Sequence, residues 1–233
     1  MPDTRATPRK ARRSTRATPA VARPARVRPG NADDQARLRT AILDAAFAIY
    51  QQGGLPALTM RAVAAGVGLS AMALYRHYAD KAALLRAMWE AVLVEARSEV
   101  LAAIAAPDTA RGHLRTSTDA SLRYWERHPD HFRLVFMTEQ TMAADRDAGL
   151  TQAEAYRQVV DLSAPLIEAF AAETGGDPGR VLLARDLRLA LMVGYLHARV
   201  VNRRFPWTDL DALRAAAVDA IEAGVAQCLR ATR

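Results

Sequence analysis

Side chains suited to nucleic-acid contact gather between residues 59 and 81 of this 233-residue chain. Tyr75, Arg76 and His77 are consecutive, and Arg61 lies shortly before them. Phenol, guanidinium and imidazole groups can donate hydrogen bonds to phosphate oxygens and to base edges. The sequence brings no nucleophile and base together in a catalytic spacing, and it has no glycine-rich phosphate loop. The residue types therefore favour nucleic-acid binding over an enzyme.

Two short helices are predicted to position these side chains, Met60–Gly66 and Ala71–Tyr78, with a break at Gly68. Thr59 and Ser70 directly precede the helices, and hydroxyl groups at such positions accept hydrogen bonds from the first free N–H groups. The residues expected to face a shared core are Met60, Val63, Ala64, Val67, Leu74 and Tyr78. The opposite face of the second helix presents Ala71, Met72, Ala73, Tyr75, Arg76 and His77. Two helices joined in this way form a helix-turn-helix, whose second helix fits the major groove of DNA.

Helical periodicity continues along the chain and predicts an all-α fold. A first helix is expected over Ala36–Gln52, ended by Gly53-Gly54, and Asp80 is expected to cap a helix over Lys81–Ala103. Five more helices are predicted at 110–127, 130–142, 151–174, 178–204 and 208–231, with a kink at Pro165. The predicted divisions are a tail (1–33), a helix-turn-helix domain (34–80) and a second helical domain (81–233).

The positive charge of the chain is concentrated at its N-terminus. Residues 1–30 carry nine basic side chains and one acidic side chain, so the rest of this +7 chain is nearly neutral. Residues 1–33 contain almost no large apolar side chains, and we expect them to be disordered. Two roles stay open for this segment: a solubilising tail, or an arm that adds phosphate or minor-groove contacts.

The lone cysteine, Cys228, excludes an intramolecular disulfide and fits a reducing cytoplasm. The most apolar stretch, Leu187–Val201, contains Arg188, His197 and Arg199, so no membrane span is expected. The basic N-terminus lacks the apolar run of a secretory signal. We therefore expect a cytoplasmic protein without a cofactor.

The motifs around the two short helices resemble those of the TetR (tetracycline-repressor-like) family of bacterial regulators. The resemblance rests on Thr59-x-Arg61-x-Val63-Ala64, Val67-Gly68-Leu69-Ser70, Ala73-Leu74-Tyr75-Arg76-His77-Tyr78 and Lys81-x-x-Leu84-Leu85. It spans residues 37–95, about a quarter of the chain, and the combined motif is far more specific than a helix-turn-helix alone. A second segment, Trp125…His128-Pro129…Phe132-Arg133-Leu134…Phe136, is similar to one subgroup of TetR ligand domains.

The resemblance implies DNA-binding roles for ten residues. Thr59 and Ser70 would cap the two helices, with Thr59 also touching phosphate, and Arg61 would reach a phosphate or a guanine edge. The remaining contacts are implied for Ala71, Met72 and Ala73 at base edges, Tyr75 and His77 at phosphates or bases, Arg76 on the phosphate side, and Lys81 at the backbone. Many relatives carry a polar side chain where this sequence has Ala71-Met72-Ala73. Recognition would then use thymine methyls and DNA shape as well as the polar residues.

The same resemblance implies that the fourth to seventh helices enclose a small-molecule pocket and that the last two helices pair across a two-fold axis. A hydrophobic or aromatic effector is expected, because the candidate wall consists of Trp89, Tyr124, Trp125, Phe132, Phe136, Tyr156, Met192 and Tyr195. Leu210, Leu213, Ala217, Ile221, Val225 and Leu229 form a stripe at helical spacing on the last helix. Such stripes could build a four-helix bundle between two subunits, and a core within one subunit is the alternative.

These expectations combine into a homodimeric repressor that a small effector releases from a palindromic operator in double-stranded DNA. The alternative is a helical effector-binding protein that acts through protein partners and has a vestigial DNA-binding face. His128, Asp130 and His131 resemble a metal-ligand group, but Pro129 places the histidines at a helix start. Capping or surface roles are therefore expected for them, and no metal.

Overall fold

The computed structural model describes residues 32–105, 109–137, 162–202 and 204–230. All the regular secondary structure within these ranges is helical, which confirms the predicted all-α fold. Most of the predicted N-terminal tail, residues 1–31, lies outside the described residues. No helix in the four described ranges is long and apolar enough to cross a membrane.

The first helix, α1 (Ala32–Ala57), extends beyond both predicted ends. Asp33 and Asp34 occupy its first turn, where carboxylates interact favourably with the helix dipole. The predicted stop at the two glycines is a kink instead, because Gly54 has φ 63° and ψ −162° and one more turn follows it. The turn after the kink is the start of a new helical segment. Pro56 fits there because an N–H in the first turn of a helix has no intrahelical partner.

The next helices follow the sequence prediction closely. α2 (Met60–Gly66), α4 (Lys81–Ala103) and α5 (Ala110–Arg127) have the predicted bounds. α3 (Ala71–Tyr75) is shorter than predicted, and the turn that follows it is closed by hydrogen bonds from the His77 and Tyr78 N–H groups to the Leu74 carbonyl, at 2.9 and 3.0 Å. α6 (Pro129–Phe136) ends before residue 142, and residues 138–142 of the predicted helix lie outside the described ranges.

Three helices complete the described chain: α7 (Ser163–Thr174), α8 (Val181–Val201) and α9 (Leu210–Leu229). The predicted kink at Pro165 is wrong, since this proline lies in the first turn of α7, where its missing N–H breaks no bond. A single 3₁₀ turn at Pro178–Arg180 replaces the predicted start of α8. The earlier part of the helix predicted over 151–174 falls outside the described residues.

One apolar core connects the N-terminal helices to the rest of the molecule. α4 forms its spine, with the predicted inward face of Leu84, Leu85, Met88 and Val92 fully buried. A second, smaller cluster joins α5, α7, α8 and α9 around Ile167, Phe170 and Val225. The N-terminal helices and the C-terminal helices are therefore packed through α4.

The predicted apolar stripe on α9 divides into two parts. Ile221, Val225 and Leu229 are buried against helices of the same subunit, as the alternative interpretation expected, whereas Leu210 is exposed. Exposed leucines lie on α8 instead, where Leu183 is 55% accessible. The apolar surface left for a second subunit therefore differs from the predicted stripe.

Candidate nucleic-acid interface and effector cavity

The turn between α2 and α3 fixes how the two helices cross. Gly68 has φ 69°, a left-handed conformation that glycine adopts without steric cost. The Leu69 N–H donates to the Ala64 carbonyl at 2.8 Å, and the Gly68 N–H donates to the Ala65 carbonyl at 3.2 Å. This pair of bonds is a Schellman motif, which satisfies the last carbonyls of α2 and reverses the chain.

Side-chain caps begin each helix of this region. Thr59, Ser70 and Asp80 accept hydrogen bonds from the backbone N–H three residues on, at 3.1, 3.2 and 2.6 Å. The predicted N-caps are therefore present. A capping hydroxyl uses a lone pair, so the O–H groups of Thr59 and Ser70 still have a proton to donate to a phosphate.

Leu74 holds α3 against the protein and leaves its opposite face open. Leu74 is fully buried and Tyr78 is nearly so, as the spacing of the two residues predicted. Met72 is 76% exposed and Tyr75 is 47% exposed on the other side. The short helix therefore lies on the outside of the molecule with one apolar and one hydrogen-bonding side chain projecting from it.

Further donors surround this exposed face. Thr59, Arg61, Arg76 and His77 are exposed, while Ala71 and Ala73 are half-buried. Small side chains at these two positions allow a close approach to the helix backbone. The structure brings nine of the ten predicted residues into the two short helices and their flanking turns, and their contacts with DNA remain predictions.

Lys81, the tenth residue, has an additional partner within the protein. Its Nζ donates to the Leu55 carbonyl at 2.8 Å, and the side chain is half-buried. This bond ties the end of α1 to the start of α4. An ammonium group has three donors, so two remain for a phosphate.

A ring contact joins α1 to α6. The Phe47 ring lies 5.2 Å from the His131 ring, and the Tyr124 hydroxyl lies 2.9 Å from His131 Nδ1. Burial and the neighbouring His128 lower the pKa of His131 below its usual value of 6.5. This histidine is therefore neutral near pH 7 and sits where the N-terminal helices meet the rest of the chain.

His128, for which a capping or surface role was predicted, is the N-cap residue of α6 but does not cap the helix with its side chain. Its side chain makes no capping hydrogen bond at the start of α6, and its ring stacks on His131 at 4.9 Å. Ligand atoms of His128, Glu95 and Glu99 lie within 4.8 Å of one another. Glu99 is also paired with Arg127. This group differs from the histidine pair considered in the sequence.

Two adjoining cavities lie between α4, α5, α7 and α8. They hold about 410 and 560 Å³ of space not filled by protein atoms, part of it open to solvent. Trp125, Ser121, Ser163 and Arg188 line both cavities. The remaining walls are mostly apolar, which is the composition expected of a small-molecule site.

The predicted effector residues lie in different surroundings. Trp125, Phe136 and Met192 line the cavities. Trp89, Tyr124 and Phe132 line neither cavity and belong to the apolar core. The indole N–H of Trp89 donates to the Leu134 carbonyl at 2.9 Å. Tyr195 is half-buried, with its hydroxyl donating to Glu126 at 2.6 Å, and Tyr156 lies outside the described residues. Aromatic type alone does not separate cavity wall from core, because both exclude water.

The polar residues of the cavity were not predicted from the sequence. A usable signal was present for Arg188, because Ala184, Arg188, Met192 and Leu196 recur every four residues along the buried side of α8. A charged residue within such an inward stripe has to be accommodated inside the protein. The serines on α5 carried no comparable signal.

Residues 42–88 match the N-terminal domain of the bacterial regulatory proteins of the tetR family. Solved structures share the fold of the chain. A proposed transcriptional regulator from Pseudomonas aeruginosa PAO1 is 22% identical with a TM-score of 0.68, covering 88% of this chain and 97% of that one. A TetR family transcription regulator from Marinobacter aquaeolei VT8 is 18% identical with a TM-score of 0.61, covering 82% of this chain and 97% of that one. A tetR-family regulatory protein from Rhodococcus RHA1 is 23% identical with a TM-score of 0.56, covering 84% of this chain and 98% of that one.

No curated protein matches the sequence. The matched domain covers the end of α1, all of α2 and α3, and the start of α4, which are the elements that position the exposed helix. The structural likeness extends this agreement to the fold of the whole described chain. Residues 42–88 are therefore similar to the N-terminal domain of the bacterial regulatory proteins of the tetR family, and the described chain shares its fold with solved structures of such regulators.

Proposed function

We propose that this protein is a dimeric transcriptional repressor that binds a palindromic DNA site and releases it when a small molecule enters the cavities beside α4. One observation carries the proposal: α3 is capped by Ser70, anchored by Leu74 and exposed along its opposite face. A short helix presented in this way fits the major groove.

The DNA contacts are proposed from the side chains around α3. Met72 and Tyr75 project from the helix, so they would meet base edges, with Met72 suited to a thymine methyl group. Arg61 and Arg76 are exposed, so each could neutralise a phosphate. Thr59, Ser70, His77 and Lys81 would add hydrogen bonds to the backbone, and Ala71 and Ala73 would permit its close approach.

Dimerisation is proposed through the outer faces of α8 and α9. The packing of these two helices is close, since a Cβ added at Gly224 would lie 3.3 Å from the Leu191 side chain. Their outer surface combines the exposed α8 residues Leu183 and Leu191 with alanines on α9. Two copies of this pair would bury the surface in a four-helix bundle and place two α3 helices on one side of the dimer.

Effector release is proposed to pass through α4. Its first residue follows the Asp80 cap of the DNA-binding domain, and Leu93, Ala96 and Val100 near its other end line the cavities. The boundary proposed at residues 80 and 81 therefore falls at the start of the helix that touches both sites. An effector that binds one orientation of α4 better than another would shift the spacing of the two recognition helices.

Selection of binding sites from random duplex DNA with the full chain tests the proposal. We expect an enriched near-palindrome with half-sites about 34 Å apart, or a multiple of that distance. Binding measured by fluorescence anisotropy should weaken when Tyr75 or Arg76 is changed to alanine, while Arg123→Ala on the exposed side of α5 serves as the distant control. Removal of the Arg76 charge should lower the slope of log affinity against log salt by about 1.

The competing hypothesis of a protein partner makes the opposite forecast for the same selection. It is motivated by the exposed apolar Met72 beside two alanines. Failure to enrich any sequence at moderate salt, with equal affinity for all DNA, would favour that hypothesis over the repressor.

A further inference from the structure

A charged side chain is buried in the wall between the two cavities. Arg188 of α8 is only 7% exposed and lines both cavities. A guanidinium is difficult to deprotonate, and although burial lowers the pKa of Arg188 to about 10, the group stays cationic near neutral pH. A full positive charge is therefore held inside a largely apolar enclosure.

The partners of Arg188 position its side chain but do not neutralise it. Its Nε donates to Thr118 Oγ1 at 3.1 Å, and one terminal nitrogen lies 3.4 Å from Ser117 Oγ. Both hydroxyls in turn donate to the Leu114 carbonyl, at 2.7 and 2.9 Å. The hydroxyls are thus fixed as acceptors toward Arg188, and a guanidinium has five N–H donors, so most of its donor capacity is left over.

Other charges in the described ranges are arranged differently. Glu222 is also only 7% exposed, and it pairs with both Arg111 and Arg115. Arg214 bonds Asp119, Glu126 and Asp211. Within the described residues no carboxylate pairs with Arg188. Because an unpaired buried charge is costly, this arrangement is typical of a site that a ligand completes.

The surroundings of Arg188 restrict the shape and charge of such a ligand. Trp125, Met192, Leu189 and other apolar side chains enclose the space around the guanidinium. Ser121 adds a hydroxyl at the wall, although this hydroxyl already donates to the Ser117 carbonyl at 2.7 Å. One buried positive charge with few further donors matches a single carboxylate better than a phosphate dianion, which carries more charge and more acceptor oxygens.

We infer that the effector of this regulator is an apolar carboxylic acid anion whose carboxylate forms a bidentate pair with Arg188. The inference rests on the proposed function and names the chemical class of the molecule that the cavities accept. It adds a charged end to the expected hydrophobic or aromatic effector, because the apolar walls would hold the body of the ligand and Arg188 would select its carboxylate. Arg97, exposed at the rim of the cavity, would attract anions toward the entrance.

Ligand binding to the full-length protein, measured without DNA, tests the inference. The probes are octanoate, phenylacetate and indole-3-acetate, each beside its uncharged amide, with inorganic phosphate and octyl phosphate as further anions. We expect at least one carboxylate to bind about 30-fold or more tightly than its amide and to raise the melting temperature. Arg188→Met should abolish that preference, whereas the surface variant Arg123→Met should retain it.

The variants also separate a ligand role from a structural role. If the role of Arg188 is to bind an anion, Arg188→Met should not lower the melting temperature of the ligand-free protein and could raise it, because the substitution removes an uncompensated buried charge. Equal binding of all acids and amides, or a carboxylate preference that survives Arg188→Met, would overturn the inference. Tighter binding of octyl phosphate than of every carboxylate would also overturn the inference.

The outcome for the proposed function is read separately. If a carboxylate binds through Arg188 but leaves the affinity for the selected DNA unchanged, the ligand class stands and effector-controlled release fails. If DNA binding is sequence-specific but no carboxylate is preferred over its amide, the repressor assignment stands and the ligand class is wrong.

Discussion

The left-handed turn at Gly68 supports a prediction whose magnitude follows from backbone geometry alone. A Cβ added at this position would meet no atom within 4 Å, so Gly68→Ala introduces no clash. The remaining cost is that of placing alanine at φ 69°, roughly 1–2 kcal/mol for an L-residue. Alanine also reduces the entropy of the unfolded chain, which offsets part of that cost by about 0.4–1 kcal/mol. The net loss of unfolding free energy should be about 1 kcal/mol.

Urea denaturation followed by circular dichroism measures this loss, with protein concentration held fixed because a dimer's stability depends on it. Gly68→Asn is the matched control, since asparagine tolerates left-handed backbone better than alanine does. The asparagine variant should therefore lie between the wild type and Gly68→Ala. An alanine variant as stable as the wild type, or more stable than the asparagine variant, would refute the left-handed geometry of the turn.

Three further predictions concern the anchor of α3, the α1–α6 contact and a polar network. Leu74→Ala should lower the unfolding free energy by about 3 kcal/mol, because the side chain is fully buried. Met72→Ala, the exposed control, should change it by less than about 0.5 kcal/mol. Equal losses of unfolding free energy in urea titrations of the two variants would contradict the orientation of α3. His131 has a lowered pKa in the folded protein, so the unfolded chain binds the proton more readily. Stability should therefore be fully present above pH 6.5 and fall on acidification below it, and His131→Asn should flatten that part of the pH profile of melting temperature; an unchanged profile would count against the burial of this ring. Arg214→Met should cost about 2 kcal/mol in the same denaturation assay, because Glu126 loses its 2.9 Å bond to Arg214 but keeps Tyr195 and Arg199 as partners. A neutral result would show that this ion pair contributes little.

Local chemistry explains why the N-terminal helices could be predicted closely from the sequence. Thr59, Ser70 and Asp80 each cap within three residues, and Gly68 supplies the left-handed turn, so these signals depend only on neighbours along the chain. The side of α3 that faces the core was also predictable, since Leu74 lies on the same helical face as Tyr78.

Features that depend on contacts between distant segments were predicted less well. The hydrogen bond from Lys81 to the Leu55 carbonyl joins residues 26 positions apart, and no periodic pattern in the sequence predicts it. The periodicity of α8 marks Arg188 as inward-facing but does not reveal its partner, because Thr118 lies 70 residues away on another helix. Apolar periodicity identified the buried face of α9 but could not decide which helices cover it, because burial within a subunit and burial between subunits require the same side chains.

Site-directed crosslinking tests most directly whether the outer face of α3 meets DNA. Met72 and Val94 are comparably exposed, at 76% and 68%, but Val94 lies on α4 away from the helix-turn-helix. A photoreactive benzoylphenylalanine at each position in turn, in the full chain bound to its selected duplex, gives a matched pair. We expect efficient crosslinking to DNA from position 72 and little from position 94. Equal yields from the two positions, or DNA capture only from position 94, would contradict the assignment of α3 as the recognition helix.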